Sequence, residues 1–157
     1  MANLFTERIL GPLKALLTEG LTPAKLATAL AAGLVLGVTP MLGISSVLAV
    51  AIAYSLNLNQ IGIQLGNYGA YPLQIILFIP FIRTGEWLLG LPPAAINPSD
   101  IAMMFNDDPA RSLGVYGASL ASAFMVWLIL AVPTAWLLRF PLRWALQRYG
   151  PSATHRD

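Results

Sequence analysis

The chain has 157 residues, of which 57% are hydrophobic and only 10% are charged, and its mean hydropathy is +0.68. Such a composition lies far from that of soluble domains and predicts a single integral membrane domain over residues 1–157. Without cysteine the chain has no thiolate chemistry and no cysteine-bound metal. Its net charge is only +2 and it has no basic stripe, so nucleic acid is not an expected partner.

Residues 1–20 predict an amphipathic helix at the membrane interface. Apolar residues recur at helical spacing from Leu4 to Leu17, and charged residues such as Arg8 and Lys14 fall between them. The same pattern also fits a helix that packs on the rest of the protein.

Residues 22–56 predict a hairpin of two helices bent at residues 37–43. Thr22 is the expected N-cap and Pro23 the expected first helical residue. Both arms are shorter than a hydrocarbon core of about 30 Å. The hairpin is therefore either re-entrant or a pair of thin transmembrane helices, and the sequence leaves both open.

Residues 61–82 predict a second helix broken by glycine and proline. The spacing Gly37-x-x-Pro40 recurs as Gly69-x-x-Pro72, which is typical of transporters built from repeated halves. The residues expected to shape the two bends are Gly33, Gly37, Pro40, Gly69 and Pro72.

The second half of the chain predicts a polar external insertion over 83–112, a transmembrane helix over 113–138 and a basic tail over 139–157. Lysine and arginine collect near the two ends of the chain. By the positive-inside rule, both termini face the cytoplasm. The predicted fold class is thus an all-α integral membrane protein, in which short broken helices form hairpins beside a long C-terminal transmembrane helix and an N-terminal interfacial amphipathic helix.

The predicted spans contain no Asp, Glu, His or Cys, which argues against an enzyme, a metal site, a cofactor or a transporter with a buried acid. A helix that opens after Gly43 would offer free N–H groups and serine hydroxyls to a phosphate, although serine caps and close glycine packing explain the same residues. Neutral polar residues near the second bend either line a cleft or bond between helices. The candidate substrate-binding residues are Thr39, Gly43, Ser45, Ser46, Asn59, Asn67, Tyr71, Arg83 and Glu86.

Arg83 and Glu86 are three residues apart and share one helical face. They are expected to form an ion pair, and the functional alternative is that Arg83 binds an anionic lipid head group while Glu86 positions it.

The stretch from Leu21 to Gly90 resembles a bacterial membrane family called domain of unknown function 2062. The resemblance is carried by Thr22-Pro23, Gly33, the spacing Gly37-x-x-Pro40-x-x-Gly43, Asn59, Asn67 and residues 85–90. The sequence departs from the family pattern after Asn67, where Tyr68 stands in place of proline. The resemblance implies a membrane location, here a bacterial inner membrane, and no established reaction.

Two functions are compatible with these patterns. The first is a small inner-membrane protein that binds or translocates an amphipathic anionic substrate such as a lipid phosphate, with membrane lipids as partners and a homo-oligomer formed through glycine-rich faces. The alternative is a scaffold, without transport, for a partner enzyme of the cell envelope.

Overall fold

The computed structural model describes residues 21–41 and 43–149. Six α-helices and no strand occur in this part of the chain, which confirms the all-α class. They are α1 (Pro23–Gly37), α2 (Ser45–Ser55), α3 (Gln60–Gly69), α4 (Tyr71–Leu89), α5 (Pro98–Asp107) and α6 (Pro109–Tyr149). The predicted interfacial helix over 1–20 and the end of the basic tail, 150–157, lie outside the described residues.

Helix α1 begins where the Thr-Pro pair predicts. The Thr22 hydroxyl oxygen accepts a hydrogen bond from the backbone N–H of Lys25 at 3.3 Å, and Pro23 occupies the first turn, where a missing N–H costs nothing. The helix ends at Gly37, after which the backbone N–H of Thr39 bonds back to the carbonyl of Leu36.

Helices α1 and α3 pack closely because glycines face each other across their contact. Each helix carries two glycines four residues apart, Gly33 and Gly37 on α1 and Gly62 and Gly66 on α3. A Cβ added at Gly66 would lie 2.5 Å from the backbone oxygen of Leu30. Such spacing is how small residues let two helix backbones approach.

The same contacts give the direction of α3 relative to α1. Gly62 lies against Leu26 near the start of α1, whereas Asn67 lies against Gly37 at its end. The two helices therefore run parallel. Gly33, expected to shape the bend, instead lies inside α1 and permits this close packing.

Helix α2 returns antiparallel to both and packs on each of them, and a tight turn joins it to α3. Asn57 adopts a left-handed backbone conformation with φ of 50°, which asparagine tolerates better than most residues. Asn59 then caps α3, its Oδ1 accepting from the N–H of Gly62 at 2.7 Å. Ala49 and Ala53 of α2 are buried against the core.

The broken helix predicted over 61–82 is two helices, α3 and α4, joined at the buried residue Ala70. Pro72, in the first turn of α4, cannot donate a helix hydrogen bond, which favours a helix start there. Helix α4 continues to Leu89, seven residues past the expected end, and stops at Gly90, whose φ of 64° suits a C-cap.

Helix α6 runs without interruption for 41 residues and includes both Pro133 and Pro141. The expected span, 113–138, is thus the middle of a longer helix, because an internal proline removes one hydrogen bond and bends a packed helix without ending it. Trp127 packs in the main core, and Leu142 and Leu146 pack on the start of α1. Helix α6 is therefore antiparallel to α1.

Two helices of the described residues, Tyr71–Leu89 and Pro109–Arg148, are long and apolar enough to cross a membrane, by length and composition alone. Glu86 lies inside the first. This corrects the expectation that the candidate spans contain no carboxylate, which arose because α4 was expected to end at residue 82.

Candidate binding site

Four helix ends meet beside the segment that joins α1 to α2. Gly37, at the end of α1, lies against the backbone oxygen of Asn67 near the end of α3. Asn67 donates from Nδ2 to the hydroxyl oxygen of Ser46 in the first turn of α2, at 3.2 Å. Gln74, in the first turn of α4, donates from Nε2 to the backbone oxygen of Thr39 at 2.8 Å. We call this region the bend site, and its polar side chains are Thr39, Ser45, Ser46, Gln64, Asn67 and Gln74.

Hydrogen bonds tie α2 and α3 together within the bend site. Besides its bond to Ser46, the Asn67 amide donates to Gln64 Oε1 at 3.5 Å. Gln64 Nε2 donates to the backbone oxygen of Ser46 at 3.2 Å. Asn67 is fully buried, so a large neutral polar group lies in the protein interior at this point.

Two buried oxygen atoms of the bend site have no hydrogen-bond partner within the described residues. They are the hydroxyl oxygen of Thr39 and Oδ1 of Asn67, and both residues are 0% exposed. A buried polar group without a partner costs roughly 1–3 kcal/mol. Exchanging the amide atoms of Asn67 would leave a free donor in place of a free acceptor, so one amide atom is available in either orientation.

The N-terminus of α2 adds backbone donors to the same region. Ile44 is its N-cap residue, and among the described residues no side chain caps this helix end. Gly43, which precedes it, has a φ of 84° that most other residues would adopt only with strain. Ser45, the first residue of α2, is 1% exposed. Free N–H groups at a helix start carry partial positive charge and bind anions.

A second polar cluster lies at the far end of α4 and is organised by the buried side chain of Glu86. Oε2 of Glu86 accepts from Arg83 Nη1 at 2.7 Å. Oε1 accepts from the backbone N–H of Ala94 at 2.9 Å and from the hydroxyl of Ser119 at 2.7 Å. Arg83 also donates from Nη2 to the backbone oxygen of Ala94 at 3.0 Å. We call these four residues the Glu86 clamp, since they join α4, the segment before α5, and α6.

The structure places the nine predicted binding residues in separate regions. Thr39, Ser45, Ser46 and Asn67 belong to the bend site, with Gly43 beside it. Asn59 lies at the opposite end of α3 and is used as its cap. Tyr71 is 41% exposed and packs edge-on against Tyr68. Arg83 and Glu86 form the clamp.

Sequence reasoning missed three contributors to these regions. Gln64 and Gln74 are absent from the candidate binding residues, although a glutamine in an otherwise apolar helix signals a buried hydrogen bond. The third is Ser119, since nothing in the sequence pairs it with Glu86, 33 positions earlier.

Five glycines lie in helix contacts within the chain and are therefore not available for an oligomer. Gly33, Gly37, Gly62 and Gly66 lie in the contact between α1 and α3, and Gly85 lies against Ser122 of α6. Gly114 and Gly117 have open space around them within the described part of the chain. An oligomer through glycine-rich faces stays a prediction, and the helical glycines with open space for it among the described residues are Gly69 of α3 and Gly114 and Gly117 of α6.

Comparison with known proteins identifies a family and nothing more specific. No curated protein and no solved structure gives a significant match. A family model described as an uncharacterized protein conserved in bacteria (DUF2062) matches residues 8–153, a longer stretch than the 21–90 that carried the resemblance in sequence. The chain therefore belongs to the DUF2062 family.

Proposed function

We propose that this protein is a bacterial inner-membrane protein that binds an amphipathic anionic lipid at the bend site and lets its head group pass between leaflets. The observation that carries the proposal is the pair of unpartnered buried polar atoms, on Thr39 and Asn67, at a place where four helix ends meet. Broken helices with free polar groups at their breaks are how many transporters build a substrate site inside the membrane.

The first support concerns where a membrane would lie. Near the end of α6, Arg139 lies over Trp136 and Phe140, and Arg148 lies over Trp144. Aromatic and basic residues of this kind gather at membrane interfaces. From Trp136 back to Ser119, at the Glu86 clamp, α6 rises about 26 Å, close to the thickness of a hydrocarbon core. We place the two interfaces at these two levels.

The bend site then falls near the middle of the membrane. Trp127 donates its indole N–H to the backbone oxygen of Val35, one turn before Thr39, at 2.9 Å. Trp127 is about 12 Å along α6 from Ser119 and about 14 Å from Trp136. A lipid head group that crosses the membrane needs polar contacts at this depth, where the hydrocarbon core offers none.

The helix lengths agree with this placement. Helices α2 and α3 have 11 and 10 residues, which reach about 15 Å, or half of a hydrocarbon core. We infer that α1 and α2 form a re-entrant hairpin, that α3 and α4 together cross once, and that α6 crosses back. Lys25 and the arginines after Trp136 then lie on one side, which the positive-inside rule makes the cytoplasm.

The chemistry of the bend site favours a head group that combines negative oxygens with a hydroxyl. The backbone donors of α2 and the hydroxyls of Thr39 and Ser45 suit a phosphate oxygen, and Asn67 Oδ1 suits a hydroxyl. Residues 26–82 contain no charged side chain. Binding by neutral donors lets a head group be held and released without breaking an ion pair.

Reconstitution in vesicles tests the proposal with a fluorescent lipid phosphate as the probe. Wild-type protein is expected to accelerate its movement between leaflets. Thr39→Val, which keeps the shape and removes the free hydroxyl, is expected to slow that movement about tenfold, the equivalent of one hydrogen bond to a charged group. Thr28→Val is the matched control, because the Thr28 hydroxyl bonds to Ala24 of its own helix.

Unchanged movement with Thr39→Val, or no acceleration by the wild-type protein, would reject the lipid-passage proposal. In the second case, recovery of a stoichiometric envelope partner by crosslinking through residues 92–111 would favour the scaffold function.

A further inference from the structure

An apolar groove of about 310 Å³ lies between α4, α6 and the segment that leads into α5. Phe78, Ile79 and Ile82 form its α4 wall, and Leu120 forms part of its α6 wall. Ile79 and Ile96 are 44% and 38% exposed, so the groove is open at its side. An apolar cavity of about 150 Å³ holds a benzene molecule, and this groove therefore has room for a stretch of hydrocarbon chain.

The polar atoms at the groove wall are already bonded within the protein. The Tyr116 hydroxyl donates to the backbone oxygen of Ala95 at 3.0 Å. The Ser119 hydroxyl donates to Glu86 at 2.7 Å. Since the wall offers little free hydrogen-bonding capacity, the groove suits an occupant that is itself apolar.

A cation lies at the rim of this apolar groove. Arg83 is one residue beyond Ile82 on α4, and its guanidinium donates to the backbone oxygen of Ala94, which lines the groove. The Arg83 side chain is 39% exposed. A guanidinium has five N–H donors, and the bonds to Glu86 and Ala94 leave others for a phosphate outside.

We propose that the groove holds one acyl chain of an anionic phospholipid whose phosphate is bound by Arg83. This inference rests on the membrane placement argued above, which puts the Glu86 clamp at head-group depth and Phe78 one to two turns deeper. The charge of the phosphate complements Arg83, and the chain complements the apolar wall. The site is separate from the bend site and does not require lipid movement between leaflets.

Photo-crosslinking in phosphatidylcholine vesicles tests the groove, with phosphatidylglycerol that carries a diazirine in one acyl chain as the probe. Adducts are expected to concentrate on Ile79, Ile82 and Leu120. An even spread that includes the outward-facing Ile75 and Val132, each 75% exposed, would overturn the proposal.

Four substitutions test the binding of the acyl chain and of the head group separately. Ala95→Phe fills the groove and is expected to abolish the groove adducts, while Ile75→Phe places the same ring on an outward face and is expected to preserve them. Arg83→Lys is expected to retain the adducts, and Arg83→Gln to reduce them about tenfold for phosphatidylglycerol but not for a diacylglycerol probe, which has the same acyl chains and no phosphate. Equal labelling by both probes in the wild-type protein would rule out a role for Arg83.

One further variant distinguishes this site from the bend site. Thr39→Val is expected to keep the groove adducts at the wild-type level, whatever its effect on lipid movement. Groove adducts that disappear with Thr39→Val, in a protein that remains folded, would show that the two regions are one site and would contradict the separate groove.

Discussion

Trp127 donates its indole N–H to the backbone oxygen of Val35, 92 residues earlier, at 2.9 Å. If α1 continued, the Thr39 N–H would donate to the backbone oxygen of Val35. It donates to the backbone oxygen of Leu36 instead, so Trp127 supplies the hydrogen bond that the Val35 carbonyl would otherwise lack. One side chain of α6 thereby fixes the point at which the bend begins.

Trp127→Phe tests this bond. The phenyl ring keeps most of the packing against Phe124, whose ring centroid is 5.2 Å from that of Trp127, but it has no donor. We expect a loss of about 1–2 kcal/mol in the free energy of unfolding. Trp127→Ala should cost about 3–5 kcal/mol, because it also leaves a cavity. Unfolding in mixed micelles measures both, and equal losses would show that the hydrogen bond contributes nothing.

Gly33→Ala should separate α1 from α3. A Cβ at this position would collide with the backbone oxygen of Ile63, which cannot move without shifting the helix. We expect little folded protein by size-exclusion chromatography in detergent. Gly69→Ala is the matched control, because its Cβ would meet open space among the described residues, and a helical alanine gains up to about 1 kcal/mol. Folding of both variants to the same extent would contradict the packing described here.

Arg83→Gln should destabilise the protein more than Glu86→Gln. Without Arg83 the buried carboxylate keeps its bonds to Ala94 and Ser119 but loses its counter-charge, which costs about 1.5–3 kcal/mol, the range for a hydrogen bond to a charged group. In Glu86→Gln the amide oxygen can still accept those bonds, and the half-exposed Arg83 reaches solvent, so about 1 kcal/mol is expected. Unfolding free energies and proteolysis of residues 91–97 compare them. The opposite order would mean that the arginine is the more strongly buried partner.

Thr39→Val should leave the protein as stable or raise its free energy of unfolding by about 1 kcal/mol, because it replaces a buried hydroxyl without a partner by a methyl group of the same shape. Thr28→Val should lower it slightly, since the Thr28 hydroxyl bonds to Ala24 at 2.9 Å. Thermal unfolding of the purified variants without added lipid measures the difference. A loss above about 2 kcal/mol for Thr39→Val would assign its hydroxyl a structural role instead.

Local signals predicted the start of α1 and the bend, because Thr22-Pro23 and Gly37-x-x-Pro40 act on their own backbone. The sequence did not predict the end of α4 correctly. Arg83 and Glu86 resemble the beginning of a polar loop, yet they continue the helix because their charges pair with each other and both side chains form hydrogen bonds with the backbone of Ala94.

Partners far apart in the chain could not be assigned from the sequence. Gly33 and Gly66 both allow close approach, but which helix each one meets depends on the three-dimensional path of the chain. The burial of Asn67 could not be assigned from the sequence either. Asparagine is usually exposed, and it is the packing of neighbouring helices that places Asn67 in the interior.

The length of α6 has a consequence for biosynthesis. Helices α1, α2 and α3 are too short to be held stably across a bilayer as separate segments, and the contacts that cover α1 come in part from Trp127, Leu142 and Leu146 at the end of the chain. On the membrane placement proposed above, the first half of the chain stays without these contacts until the residues that supply them have left the ribosome. Chains truncated before Trp127 are therefore expected to be removed by membrane proteases, even though they contain the whole bend.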